Sequence, residues 1–192
     1  MNELTRCPWC GTDPLYVTYH DNEWGTPLYD NQQLFEFLIL EGAQAGLSWI
    51  TVLRKRENYR AAFDNFNPEK IARYSEAKKA KLLLNEGIIR NRLKIDSAIK
   101  NAKAYLAMQK NGEDFSEFLW SFVGGKPQQN KHKNTSTIPA STSESDAMSK
   151  ALKQKGFNFV GTTICYAFMQ ATGMVNDHVI SCHKYTPSKP RK

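Results

Sequence analysis

At 192 residues, with an ordinary hydrophobic share of 41% and a net charge of +7, the chain is long enough to bury a real core as one domain or two small lobes. No apolar run approaches the roughly 20 residues of a membrane helix, which excludes a helical membrane protein. The basic balance suits a polyanionic partner such as nucleic acid without requiring one.

The opening stretch M-N-E-L-T-R-C contains no apolar signal region, so nothing in it directs export. Four cysteines without such a signal point to the reducing cytosol, where Cys and His clusters bind metal more often than they cross-link. Cys7 and His20 offer two metal ligands, and Cys7-x-x-Cys10 is itself a common zinc or redox spacing. Trp9, Tyr16, Tyr19 and Trp24 crowd the same stretch, and Trp49 follows. Aromatic side chains are most often core, so this cluster alone does not identify a site.

The first strong helix signal runs from residue 32 to about 40, with Asp30 or Asn31 placed to cap it. Leu34, Phe37, Leu38 and Ala45 mark its apolar stripe. Glu41 falls on that stripe, seven after Leu34, four after Phe37 and three after Leu38. The spacing therefore predicts a carboxylate turned to the core, which is costly unless it has a partner or a reaction. Gly42 and Gly46 weaken the helix beyond it. Residues 49–63 read as a second helix with a basic face at Arg54, Lys55 and Arg56. Asn67-Pro68-Glu69 opens a short third helix, and Ser75 caps a fourth over 76–86 that Gly87 ends. Residues 91–110 form a fifth, lined on one side by Ile95, Ala98, Ile99, Ala102, Tyr105 and Leu106, and a shorter aromatic helix covers 115–123. Residues 124–143, the only low-complexity stretch, read as a long surface loop. Ser143 or Ser145 caps the next helix, which Gly156 stops after about Lys155.

Residues 156–163 then read as a turn between two helices, the second over 162–171. Such a hairpin presents Gly161 and free backbone N–H groups at a helix N-terminus, a geometry that binds phosphate without reading sequence. An ordinary helical hairpin in the core explains the same pattern, and Thr163 stands where the usual phosphate hairpin has its second glycine. Near the C-terminus N-D-H-V-I-S-C carries His178 and Cys182, four apart, so that a helix would put both on one face. With Cys7 and His20 they make the four nitrogen and sulfur ligands of a tetrahedral structural zinc, and the fold must then join the two ends of the chain. Spacing alone leaves Cys10 competing with His20, His183 as a further candidate, and scattered core Cys and His as the plain alternative.

Residues 13–25 (D-P-L-Y-V-T-Y-H-D-N-E-W-G), 40–56 (L-E-G-A-Q-A-G-L-S-W-I-T-V-L-R-K-R), 118–123 (F-L-W-S-F-V) and 159–178 (F-V-G-T-T-I-C-Y-A-F-M-Q-A-T-G-M-V-N-D-H) together resemble the bacterial 3-methyladenine DNA glycosylase I family. The likeness runs from about Cys7 to Cys182. It implies an all-α, helix–hairpin–helix DNA glycosylase fold, one domain over residues 1–192 in two helical lobes. The terminal segments 7–24 and 176–183 are joined by one structural zinc on Cys7, His20, His178 and Cys182, and the hairpin lies at about 156–173. It implies a hydrolase that removes N3-methyladenine from alkylated double-stranded DNA and leaves an abasic site, a monomer of the bacterial cytosol with no membrane partner. Trp9, Tyr16, Tyr19, Trp49 and Glu41 correspond to the methylated-base pocket. Glu41 there accepts a hydrogen bond from the exocyclic amine and offsets the positive charge of the base. The hairpin from Phe159 to Thr163, with Gly161, Thr162 and Thr163, corresponds to the grip on the DNA backbone. Where relatives with lyase activity carry a Lys, this chain has Cys165, which implies a monofunctional enzyme. Asp177 lies near the Asp that relatives use on the sugar cation, which implies a catalytic role; being next to His178, it has support for that ligand as its alternative reading.

Two other classes share some of these features. A non-catalytic zinc module that binds nucleic acid would use the same hairpin, charge and metal, but gains nothing from a carboxylate on the apolar side of a helix. A redox protein using Cys7-x-x-Cys10 would need a βαβ setting that the surrounding pattern lacks.

Overall fold

The computed structural model describes residues 4–186. Its centre is helix α2 (Asn31–Gln44), capped by Asp30, whose carboxylate accepts from Gln33 N at 2.8 Å. Every residue from 34 to 43 in α2 is buried. A helix buried all round is a core helix, and the other elements wrap it. Before it comes α1 (Pro14–Asn22), and after it α3 (Trp49–Leu53), α4 (Arg56–Ala62), α5 (Pro68–Ile71) and α6 (Glu76–Leu84). The long α7 (Arg92–Lys110) packs on α5 and α2 through Ile95, Ala98 and Ala102. Helix α8 (Phe115–Ser121) is pinned to the start of α2 by Asn31, which accepts from Ser116 N at 2.6 Å and donates to Asp114 at 2.7 Å.

The hairpin pairs α9 (Ser143–Gln154) with α10 (Thr162–Ala171), and α10 also packs on α2. Gly156 takes φ +92 at the turn, a left-handed conformation that glycine adopts without a Cβ penalty. Two short strands, β1 (Gln128–Gln129) and β2 (Val175–Asn176), pair in parallel with Gln128 opposite Val175. The fold is thus mostly helical, with one small ladder whose first strand lies inside the segment expected to be a plain loop.

Several expected boundaries shift for physical reasons. The helix expected over 49–63 breaks at Arg54–Lys55. Its basic face is spent on partners: Arg54 pairs with Asp13 at 2.6 Å, Arg56 with Glu23 at 2.5 Å, and Lys55 donates to Glu86 O at 2.7 Å. The fourth helix stops at Leu84, with Asn85 in extended conformation, before Gly87 is reached. The cap of α9 is Thr142, one residue before Ser143, while Ser145 completes a capping box by accepting from Thr142 N at 2.8 Å. Residues 14–22, read only as an aromatic cluster, form α1, with Asp13 accepting from Leu15 N and Tyr16 N and Pro14 at the first position.

The chain ends do meet. His183 N donates to Thr5 O at 2.8 Å. The connection after α1 crosses the end of α10, with Gly25 N bonded to Gln170 O and Leu28 N to Thr172 O, both at 3.0 Å. Gly173, at φ +68, permits that crossing: a Cβ there would lie 2.4 Å from the Thr26–Pro27 backbone. No helix of the described residues is long and apolar enough to cross a membrane.

Candidate functional site

Cys7, His20, His178 and Cys182 converge in a buried cluster whose ligand atoms all lie within 4.8 Å of one another. Cys7 Sγ lies 3.5 Å from His178 Nδ1, and Cys182 Sγ lies 3.4 Å from His20 Nε2 and 3.5 Å from His178 Nδ1. A tetrahedral zinc with its usual bond lengths sets a sulfur–nitrogen edge of about 3.5 Å, so the donor set fits that ion. The far nitrogen of each ring is held. His20 Nδ1 faces Asp21 Oδ1 at 2.8 Å, and His178 Nε2 faces Trp24 O at 3.1 Å. Those partners turn the remaining nitrogen toward the cluster. Burial pushes the His178 imidazole down to about 4 and the Cys7 thiol up to about 12. The imidazole is thus in its neutral, ligating form, and the buried Cys7 thiol sits where a bound cation would draw off its proton.

Other candidate ligands are placed elsewhere. Cys10 Sγ donates to Cys7 O at 3.2 Å and lies outside the cluster. His183 approaches Asp21 at 3.5 Å through Nε2 and Thr5 O at 3.0 Å through Nδ1. Asp21, also gripped by Arg6 at 2.8 Å, is a second-layer carboxylate that spacing could not single out. His178 and Cys182 do not share a helix. Residues 177–186 hold no helix, with turns only over 180–184, and Cys182 N bonds back to Val179 O at 2.8 Å.

Against this cluster opens a cavity of about 300 Å³. Trp9, Tyr16, Tyr19, Trp24 and Trp49 supply its aromatic wall, and Glu41, Gln44, Thr135, Ile138, Ala167 and Gln170 complete it. Trp9 meets Tyr16 edge-on at 5.0 Å and Trp24 at 4.9 Å, and it lies 5.3 Å from the His20 ring. The cavity wall therefore touches the Cys2His2 cluster directly. All five pocket residues expected from sequence are brought together here, and the loop residues Thr135 and Ile138 join them from 86 to 129 positions away along the chain, beyond the reach of any periodicity.

Glu41 is 3% exposed, and its carboxyl is pushed up to about 8 by burial alone. Its Oε2 has no hydrogen-bond partner, and neither do Trp9 Nε1 and Trp49 Nε1. Buried polar atoms are nearly always paired. Three orphans on one cavity wall, two donors and one acceptor, mark a place prepared for a polar, flat guest.

Asp177 does not line the cavity. It is fully buried, and its two oxygens take four bonds: from Asn130 at 2.6 Å, His132 at 3.1 Å, Tyr166 at 2.6 Å and Gln170 at 2.8 Å. The carboxylate next to His178 supports the loop after β1 and helix α10; Asp21 and the Trp24 carbonyl hold the ligand rings.

At the hairpin, Gly161 precedes α10 without any side-chain cap, so the first N–H groups of that helix lack an internal partner. Thr162 spends its hydroxyl on Asp146, 2.5 Å away, while Thr163 is exposed. Phe159 holds φ +54, unusual for a bulky residue, and its Cβ would be 3.2 Å from a Cβ on Gly42. Asn101 clamps the turn, accepting from Asn158 N at 2.7 Å and donating to Asn158 O at 3.0 Å. Cys165 is fully buried with its thiol pushed up to about 12 by burial.

Residues 9–185 match the family model described as methyladenine glycosylase. The chain is 58% identical over 187 residues to DNA-3-methyladenine glycosylase 1 of Escherichia coli (strain K12), covering 97% of this chain and 100% of that protein. Its structure is similar to a crystal structure of 3-methyladenine DNA glycosylase I, with a TM-score of 0.94 at 58% identity over 95% of this chain and 100% of that one. It is also similar to a variant of such an enzyme solved in complex with 3-methyladenine, with a TM-score of 0.91 at 36% identity over 96% and 99% of the two chains.

Proposed function

The chain belongs to the methyladenine glycosylase family, and from that membership we infer that it hydrolyses the N-glycosidic bond between N3-methyladenine and deoxyribose in alkylated DNA, leaving an abasic site. The observation that carries the reading to this chain's own residues is Glu41, a buried carboxyl without a partner on an aromatic cavity wall.

An enzyme that acts on a base must take it out of the stack and hold it by stacking and edge hydrogen bonds. The cavity bounded by Trp9, Tyr16, Tyr19 and Trp49 is the receiving site. N3-methyladenine is cationic while attached to the sugar, so its bond is already weak, and selection is the enzyme's main task. Aromatic faces favour a cationic ring over neutral adenine. Glu41, held neutral by burial in the empty cavity, ionises when the cation enters, because an opposite charge favours the charged form. Its proton passes to solvent, and it then accepts from the exocyclic amine. The glycosidic bond breaks through an oxocarbenium-like transition state, its electron pair leaving with the now neutral base. Water adds at the sugar carbon and gives up a proton to solvent.

The enzyme is monofunctional. Cys165, buried and with its ionisation suppressed, occupies the position at which lyase relatives carry their Lys. The free N–H groups behind Gly161, with exposed Thr163, suit a DNA phosphate, and Thr162 serves through its backbone since its hydroxyl is taken. The Cys2His2 donors hold a structural zinc with no open position for substrate. We read the chain as one helix–hairpin–helix glycosylase domain of two lobes, a monomer of the bacterial cytosol.

Incubation with methylated duplex DNA, followed by analysis of the released bases, tests the reading. N3-methyladenine is expected from the unaltered protein, and Glu41→Gln is expected to lose at least tenfold in kcat/KM, the scale of one charge-assisted hydrogen bond. No release by the unaltered protein refutes the reading; equal release by both removes Glu41 from its role.

A further inference from the structure

Gln170 lines the same cavity from helix α10, and its amide has a fixed orientation. Its Nε2 donates to Asp177 Oδ2 at 2.8 Å. Tyr166 already donates to that same oxygen at 2.6 Å, so turning the amide round would set Gln170 Oε1 against an acceptor and lose the bond. Asp177 cannot swing away, because Asn130, His132 and Tyr166 also donate to it and the residue is fully buried. No described residue donates to Gln170 Oε1, and that oxygen is not among the sealed, unpartnered atoms. It is therefore an accessible acceptor on a residue that lines the cavity together with Glu41.

Glu41 and Gln170 thus each bring an acceptor to the wall, the carboxyl and Oε1, in company with the polar groups of Tyr16, Tyr19, Gln44 and Thr135. N3-methyladenine in DNA has only two N–H groups on its base, both on the exocyclic amine. We propose that Gln170 is a specificity-determining residue of the base cavity, that Asp177 positions its carbonyl oxygen toward the guest, and that the pair of acceptors selects a purine with an amine at position 6 over one with an oxygen there. The proposal rests on the base-excision reading above. A 6-oxo purine such as N3-methylguanine, seated in the same pose, would bring a lone pair to the place where the adenine amine offers its N–H groups.

Gln170→Leu keeps the side-chain volume and removes the acceptor, while Asp177 retains three donors. Release of N3-methyladenine and N3-methylguanine from methylated duplex DNA is measured for both proteins, with binding of free 3-methyladenine followed by tryptophan fluorescence. Expected are an about tenfold weaker affinity for 3-methyladenine and an about tenfold smaller preference for N3-methyladenine over N3-methylguanine. Asp177→Asn, which can donate back to Gln170 and free its amide to turn, is expected to lower the same preference. Unchanged preference in Gln170→Leu, or an equal loss on both bases, overturns the proposal while leaving base excision standing. Release of neither base by the unaltered protein overturns the excision reading and this proposal together.

Discussion

Glu41 holds free energy that folding would recover if the side chain were neutral at every pH. Its carboxyl sits at about 8 in the fold against an ordinary value of 4.5. Between those pH values the folded protein retains a proton that the unfolded chain gives up, so stability falls as pH rises, by on the order of 3 kcal/mol at pH 7. Below pH 4.5 both states are protonated and the cost vanishes; above about 8 it is constant. Glu41→Gln, which cannot ionise, is expected to gain stability relative to the unaltered protein across that window while losing activity. Urea midpoints at pH 5 and pH 8 check this, and a difference between the two proteins that does not grow with pH refutes it. The position of Glu41 was legible from sequence because a helix repeats every 3.6 residues and the stripe at Leu34, Phe37 and Leu38 fixes which way residue 41 points. Its lack of a partner was not legible, nor were the roles of Asp21 and Gln170, because each depends on groups brought from another element.

Caps made the helices legible; tertiary pairing moved their ends. Asp30, Asn67, Ser75 and Asn91 all accept from the backbone N–H three residues on, as their positions before apolar runs predict. The break after Leu53 follows from ion pairs to Asp13 and Glu23, which no local pattern reveals. Helix α1 had a readable signal in Asp13-Pro14, but its residues mix aromatic and polar groups so evenly that no stripe appears. The hairpin turn shows how elements carry function to one another. Phe159, in a left-handed conformation, lies against Gly42, the residue after Glu41, and Asn101 of α7 supplies both backbone partners of Asn158. Asn101→Leu leaves that N–H and C=O unpaired at a cost of about 1–3 kcal/mol each, or frees the turn to move. The expected outcome is a several-fold higher KM for methylated duplex with little change in affinity for free 3-methyladenine. Parallel losses in both measurements would show that the clamp serves the whole fold and not the DNA grip.

Closure of the chain on itself organises the whole molecule. The aromatic segment from Trp9 to Trp24 is fixed at three places: the Cys2His2 cluster, the Gly25 and Leu28 bonds to the end of α10, and the passage over Gly173. Gly173→Ala places a methyl 2.4 Å from the Thr26–Pro27 backbone at a φ of +68, so a cost above about 3 kcal/mol is expected, read as a lowered thermal midpoint. A metal held by the Cys2His2 cluster should act on the same closure. Trp9 and Trp24 pack on His20 and His178, so ligand rings and cavity wall form one continuous aromatic layer. If the ion is structural, its identity should matter little and its presence a great deal. Cys182→Ser is expected to hold well under one zinc per chain, and chelation to reduce 3-methyladenine binding and base release together with the near-ultraviolet dichroism of the tryptophans. Refilling with cobalt should restore all three and give the visible absorption of a tetrahedral site with two thiolates. Activity that instead follows the Lewis acidity of the added ion, with binding and dichroism unchanged, would place the metal in the chemistry and overturn a purely structural role.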